Sequence, residues 1–181
     1  LITLYSSNII TESLSIMNLN AQNLFDTLDD PKKDDKAFLP LIHKDSFKHK
    51  DSCNNITVKK WRMECLYLDW NEETKNAKLS NLKEIIVAYS ESGADVVALQ
   101  EVENINILNQ LFDLLKPYGY VDYQLLESKD KRGVDTAFIS KFKILDPKLH
   151  YVEFSSKYET KDTRPIFEIT IDIDGKKVKL Y

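Results

Sequence analysis

Glu101 closes the stretch Ala94-Asp95-Val96-Val97-Ala98-Leu99-Gln100-Glu101. Most of its residues are apolar and several are β-branched, which predicts a short buried strand beginning after Gly93. In open α/β sheets, ligands bind beyond the carboxyl ends of the strands. A carboxylate fixed there, with a helical pattern starting directly after it, is placed to hold a divalent cation. Taken alone, it is equally a solvated Glu ending an ordinary strand.

Other residues could join it. Asn20 follows the alternating stretch Ser13–Leu19, which predicts a strand. Its amide can donate to a phosphate oxygen or orient a metal-bound group, or it can be a plain turn residue. Arg164 precedes the apolar run Ile166–Asp172. Its planar fork of donors suits a phosphate, and a lone loop Arg serves as well as a surface charge. Asp130-Lys131-Arg132-Gly133-Val134-Asp135 is a charged loop leading into the strand Thr136–Ser140. The three histidines show no metal-binding spacing: His43 and His49 are expected in solvent, His150 on a sheet surface.

The elements that must position these residues read as α/β. A helix is predicted over 71–91, with Leu79, Leu82, Ile85, Ile86 and Tyr89 on one stripe. A second, over 105–116, has Ile105, Leu108, Leu111, Phe112 and Leu115 on one face and stops at Pro117 and Gly119. Strands are predicted at 120–126, 136–140 and 166–172, and Asp174-Gly175 is a hairpin signal before a return strand over 176–181. Residues 26–60 read as a long, charged, irregular insertion in which Phe38–Ile42 is an apolar island that docks on the body. Trp61, Met63, Leu66 and Tyr67 are expected to pack, the alternative being a basic, aromatic nucleic-acid surface. Cys53 and Cys65, twelve positions apart, can close a disulfide if the protein is exported, or stay reduced. The absence of Cys-x-x-Cys spacing disfavours a metal site there.

The 181 residues are enough for one domain with a sizeable core, and 43% hydrophobic with 30% charged residues is ordinary for a globular chain. A net charge of −4 argues against a generally basic protein that coats nucleic acid. The charge is uneven. Lys32 to Arg62 holds nine Lys and Arg against four Asp, a local excess that suits a phosphorylated substrate or a solvated loop. No run of 18 apolar residues exists, so no transmembrane span is expected. Residues 1–12 read as a tail, with Leu1–Ser7 as the end of a signal peptide's apolar region, which favours a secreted or periplasmic protein slightly over a cytoplasmic one.

Two stretches together, Ile16-Met17-Asn18-Leu19-Asn20-Ala21-Gln22-Asn23-Leu24-Phe25-Asp26 and Leu99-Gln100-Glu101-Val102, resemble the endonuclease/exonuclease/phosphatase superfamily. The order Asn-Leu-Phe-Asp, Asp-Asp-Pro, Phe-Leu-Pro is similar to a bacterial branch with a long insertion after its first strand. The resemblance implies that residues 13–181 form the first half of a four-layer α/β/β/α sandwich, a mixed sheet flanked by helices. It implies Glu101 as ligand of Mg2+ or Mn2+, Asn20 as an active-site amide and Arg164 at the scissile phosphate. The 130–135 block is similar to one that borders the active site, which adds Arg132 as a phosphate contact and Asp135 to the catalytic set. Gln22 falls where some relatives carry a metal-assisting acid, so metal ligation from that position is not expected.

The family's remaining motifs, which supply the general base, are expected beyond Tyr181, and the chain is accordingly expected to be an N-terminal fragment completed by a C-terminal half. A sandwich cut between its sheets would expose an apolar sheet face. The implied function is metal-dependent hydrolysis of a phosphoester, foremost as a nuclease on DNA or RNA. Sphingomyelinase-like or phosphatase-like activity on a small phosphoester is the alternative within the class, and an inactive half-domain acting as a binding module is the alternative outside it.

Overall fold

β2, Val96–Val102, lies in the interior of a four-stranded sheet. The computed structural model describes residues 13–154 and 164–181. The tail over 1–12 and the residues Asp162 and Thr163 before Arg164 lie outside them. β1 (Ile16–Leu24) pairs parallel with β2, and β4 (Asp135–Ser140) pairs antiparallel on the other side, with β3 (Asp122–Leu125) outermost. A second, antiparallel sheet holds β5 (Ile144–His150), β6 (Ile166–Ile173) and β7 (Lys176–Leu180) in that order. Asp174 and Gly175 turn the β6–β7 hairpin with φ of 50° and 82°, the left-handed pair that a tight two-residue turn requires.

Side chains alternate across a strand, so β2 serves two cores at once. On one face Val97 and Leu99, with Ala137 and Ile139 of β4, meet Leu79, Leu82 and Ile86 of α3 (Glu72–Val87) and Leu108 and Leu111 of α4 (Ile105–Leu115). On the other, Val96 and Phe138 meet Ile144, Phe167, Ile169 and Ile171 of the second sheet. The result is helices, mixed sheet and second sheet in three layers, the α/β architecture expected. α3 starts at Asn71, whose side chain accepts from Thr74 N, and α4 at Asn104, which accepts from Asn106 N and Ile107 N. α3 ends sooner than its periodicity predicts. Ser90 turns left-handed at φ 51°, and Ile85 and Tyr89 are half exposed instead of closing the stripe.

The apolar inter-sheet face that a cut between the sheets would expose is covered by β5 and β6, and the other face of β6 carries Glu168 and Thr170. Glu168 is buried there beneath His150 and Lys179, whose Nε2 and Nζ each lie 2.6 Å from its carboxylate oxygens.

The insertion is far more ordered than its composition suggests. Single turns at Lys36–Phe38 and Leu41–His43 lead into α1 (Phe47–Asn54) and α2 (Lys59–Tyr67). Ser46 caps α1 by accepting from His49 N, which converts a lysine-rich run into a helix. Phe38 stacks on Phe25 with ring centres 4.1 Å apart and meets Trp70 edge-on, and Leu39 is buried, while Leu41 and Ile42 stay exposed. Lys44 is buried and its Nζ donates to the carbonyls of Ala37 and Leu68 at 2.7 Å, closing the C-terminal end of α2.

Cys53 and Cys65 are bonded to each other and tie α1 to α2. His49 is half-buried rather than free in solvent, its Nε2 3.0 Å from the carbonyl of Cys65. Packing of α2 differs from expectation too. Trp61, Met63 and Tyr67 are exposed, and the face of α2 that Trp61 shares with Cys65 turns toward a cleft rather than a packed core.

The disulfide closes a loop with a sequence separation of 12. Replacing both cysteines by Ser is expected to cost about 3 kcal/mol in the chain-entropy account. Urea unfolding followed by circular dichroism checks this, and an unchanged midpoint would count against it.

Candidate active site

β1 and β2 pair regularly as far as Asn20 opposite Gln100, and then both leave register together. The next pair is Leu24 with Val102, so three residues of β1 stand against Glu101 alone. Gln22, Asn23 and Glu101 all take left-handed backbone there, with φ of 53°, 62° and 61°. For residues with a Cβ this conformation costs on the order of 1–2 kcal/mol each. Strain of that kind concentrates where a structure holds side chains for chemistry.

The hydrogen bonds show what the distortion arranges. Gln22 N donates to Asn20 Oδ1 at 2.7 Å, which fixes the amide at the strand end. Lys78 of α3 donates to the Gln22 carbonyl at 3.2 Å, and Gln100 Nε2 donates to Asn18 Oδ1 at 2.6 Å. Glu101 is half-buried, and among the described residues no donor bonds its carboxylate. Two cations feel its charge. Burial lowers the pKa of Lys78 while Glu101 opposes the shift, and the Arg132 guanidinium is favoured first by its hydrogen bond to Asp130 and more weakly by Glu101.

Asp130 gathers the two candidate arginines. Arg132 grips it with Nη2 at 2.9 Å and Nε at 3.3 Å, and Arg164 Nε lies 3.5 Å away. Burial works to raise the Asp130 carboxyl, but the hydrogen bonds and charge of Arg132, with Arg164, hold it below the usual range. Asp135 is buried instead. Its Oδ1 accepts from Ser128 N at 2.9 Å, its Oδ2 has no partner, and burial raises its pKa. The bond to Ser128 braces the loop that carries Asp130 and Arg132.

The structure therefore sets Asn20 opposite Gln100, the residue before Glu101, and links Glu101 to Arg132 through charge and Arg132 to Arg164 through Asp130. Cys53 and Cys65 lie in α1 and α2. A cleft of about 370 Å³ lies between the insertion and this centre, lined by Asn23, Phe38, Trp61, Arg132 and Val134 among others. Sequence reasoning missed Lys78 and Asp130. The Asp130-x-Arg132 spacing was a usable signal, whereas Lys78 sits on a helix face that reads as solvated. It also missed the carboxylates Asp26, Asp30, Asp35 and Glu103 behind the strand end. Burial there pushes Glu103 up to about 9 and Asp35 up to about 6, with neighbouring acids adding to both shifts.

A hard divalent ion takes oxygen donors. The Glu101 carboxylate, without a protein donor, and the Asn20 amide oxygen, with a lone pair beyond its bond to Gln22 N, are each oxygen donors of the kind such an ion takes.

The family model described as "Endonuclease/Exonuclease/phosphatase family" matches residues 65–180. The chain belongs to that family. No curated protein matches the sequence. Among solved structures, an endonuclease/exonuclease/phosphatase family protein from Leptotrichia buccalis C-1013-b is similar at 24% identity, with 61% of this chain and 47% of that one covered and a TM-score of 0.41. The chain thus spans about half the length of that structure.

The strain at Glu101 can be measured directly. Glu101→Gly is expected to be more stable than Glu101→Ala by about 1 kcal/mol, since glycine adopts positive φ freely. Equal denaturation midpoints for the two variants would show that the left-handed backbone is absent in solution.

Proposed function

We propose that this chain carries the metal- and phosphate-binding side of a Mg2+- or Mn2+-dependent phosphodiesterase that acts on nucleic acid. The observation that carries the reading is Glu101: a half-buried carboxylate on left-handed backbone at a strand end, beside the charge of Arg132 and Lys78. A metal held by Glu101 and Asn20 would polarise a phosphoryl oxygen and steady the leaving group. Asn20, fixed by Gln22 N, presents its amide N–H groups to a phosphate oxygen or to the attacking water. Arg132 and Arg164, oriented through Asp130, bind the phosphate and offset the charge that develops on it. Asp135 acts as a positioning residue by holding the Ser128 turn.

Nucleic acid is favoured over a small phosphoester by the surface of α1 and α2. Trp61 and Tyr67 are 60% and 63% exposed there, on the segment that concentrates the basic residues. Exposed aromatics beside lysines suit stacked bases and a phosphate backbone.

In the intact protein, Glu101→Gln is expected to lower turnover of a DNA or RNA substrate by about a hundredfold or more at saturating Mg2+, the loss typical of removing a key transition-state contact. Turnover that survives the substitution would remove Glu101 from the chemistry. Substrate affinity is expected to fall steeply as salt rises. A flat dependence would point to a small phosphoester, and no hydrolysis with either metal would leave a binding module.

A further inference from the structure

Behind the strand end, on residues the proposed chemistry does not use, lies a second group of carboxylates. Asp26, Asp30 and Asp35 come from the turn that follows β1, and Glu103 from the junction of β2 and α4. Glu103 and Asp35 are 3% and 1% exposed. Each spends one oxygen on backbone: Glu103 Oε2 accepts from Asp26 N and Asp35 Oδ2 from Asp30 N, both at 2.7 Å. The other oxygen of each, Glu103 Oε1 and Asp35 Oδ1, is buried and has no partner. The side-chain donor within the group is the neutral Asn104 amide, 3.1 Å from Asp26 Oδ2 and 3.5 Å from Asp30 Oδ2. Among the described residues, no Lys, Arg or His forms an ion pair with any of the four acids.

We infer that Asp30, Asp35 and Glu103 form a structural Ca2+ site that clamps the turn after β1 onto the β2–α4 junction. One oxygen from each of the three lies within 4.8 Å of the other two. Three oxygens this close can share one hard cation, and Ca2+ accepts oxygen donors in irregular geometry where Mg2+ demands a near-ideal octahedron. Hard oxygen ligands exclude a preference for softer metals. Unpaired buried carboxylates are costly, and a cation resolves two orphaned oxygens with one bound ion. The site is independent of the proposed hydrolysis, because it uses neither Glu101 nor Asn20.

The test uses the full chain, freed of metal with a chelator, as wild type and as Glu101→Gln. Calorimetric titration with CaCl2 is expected to find a Ca2+ site that Glu101→Gln retains. Thermal unfolding is expected to shift upward by about 5–10 °C at a Ca2+ concentration a hundred times Kd, with a smaller shift for MgCl2. Asp35→Asn can still accept from Asp30 N, so it is expected to fold and to lose the Ca2+ shift. Loss of Ca2+ binding in Glu101→Gln would overturn the inference, as would a Ca2+ shift that survives in Asp35→Asn. If Asp35→Asn does not fold, the Glu101→Gln titration decides: Ca2+ bound supports the site, no Ca2+ bound overturns it. An absence of phosphoesterase activity would leave this outcome untouched.

Discussion

Ser15 and Asp95 lock the first two strands together before either begins. Asp95 Oδ2 accepts from Ser15 N at 2.9 Å and from Ser15 Oγ at 2.6 Å, and Asp95 N donates back to Ser15 Oγ at 3.0 Å. A parallel pair has no hairpin to set its register, and a slip of one residue would turn every side chain of β1 to the wrong face. The Ser15–Asp95 clasp sets it at the N-terminal end. Regular pairing then runs to Asn20 and Gln100, and the accumulated register decides where the two strands break. Asn20 arrives opposite Gln100 because of that clasp, several residues away, and Glu101 follows directly.

The break is possible because the strand before it is held on both faces. Val97 and Leu99 pack on the helices, while Val96 packs on the second sheet. Burial on both sides stabilises by roughly 1.5–3 kcal/mol for each large apolar side chain, which exceeds the strain of a few left-handed residues. The chain can therefore leave ideal geometry at its last turn without loosening the body. The loop over 128–135 is fixed by different means, through buried Asp135 on Ser128 N and through Asp130 between two arginines. A rigid strand end faces a loop stiffened by charge.

This division explains what was legible in the sequence. β2 and α4 were readable because burial imposes a pattern, an unbroken apolar run in one and a 3–4 spacing in the other. Glu101 was readable because it ends such a run. The insertion was not, because its order comes from a disulfide, from the Ser46 cap and from Lys44 on carbonyls, and none of these leaves a periodic trace. Trp61 and Tyr67 misled for the opposite reason: aromatic residues signal burial, and here they face a cleft and solvent. Asp35 and Glu103 were invisible because carboxylates read as solvated, and their burial depends on contacts between residues far apart in the chain.

Glu101 and Glu103 show how one strand end separates two electrostatic settings. They are two positions apart, yet Glu101 is half-buried near Lys78 and Arg132, and Glu103 is buried among acids. The left-handed backbone at Glu101 turns the chain between them. Glu103 N also bonds the Leu24 carbonyl at 3.0 Å, so the same two strands that carry Asn20 and Glu101 are tied again immediately past the break. Whatever neutralises the charge behind the sheet therefore also steadies the geometry in front of it.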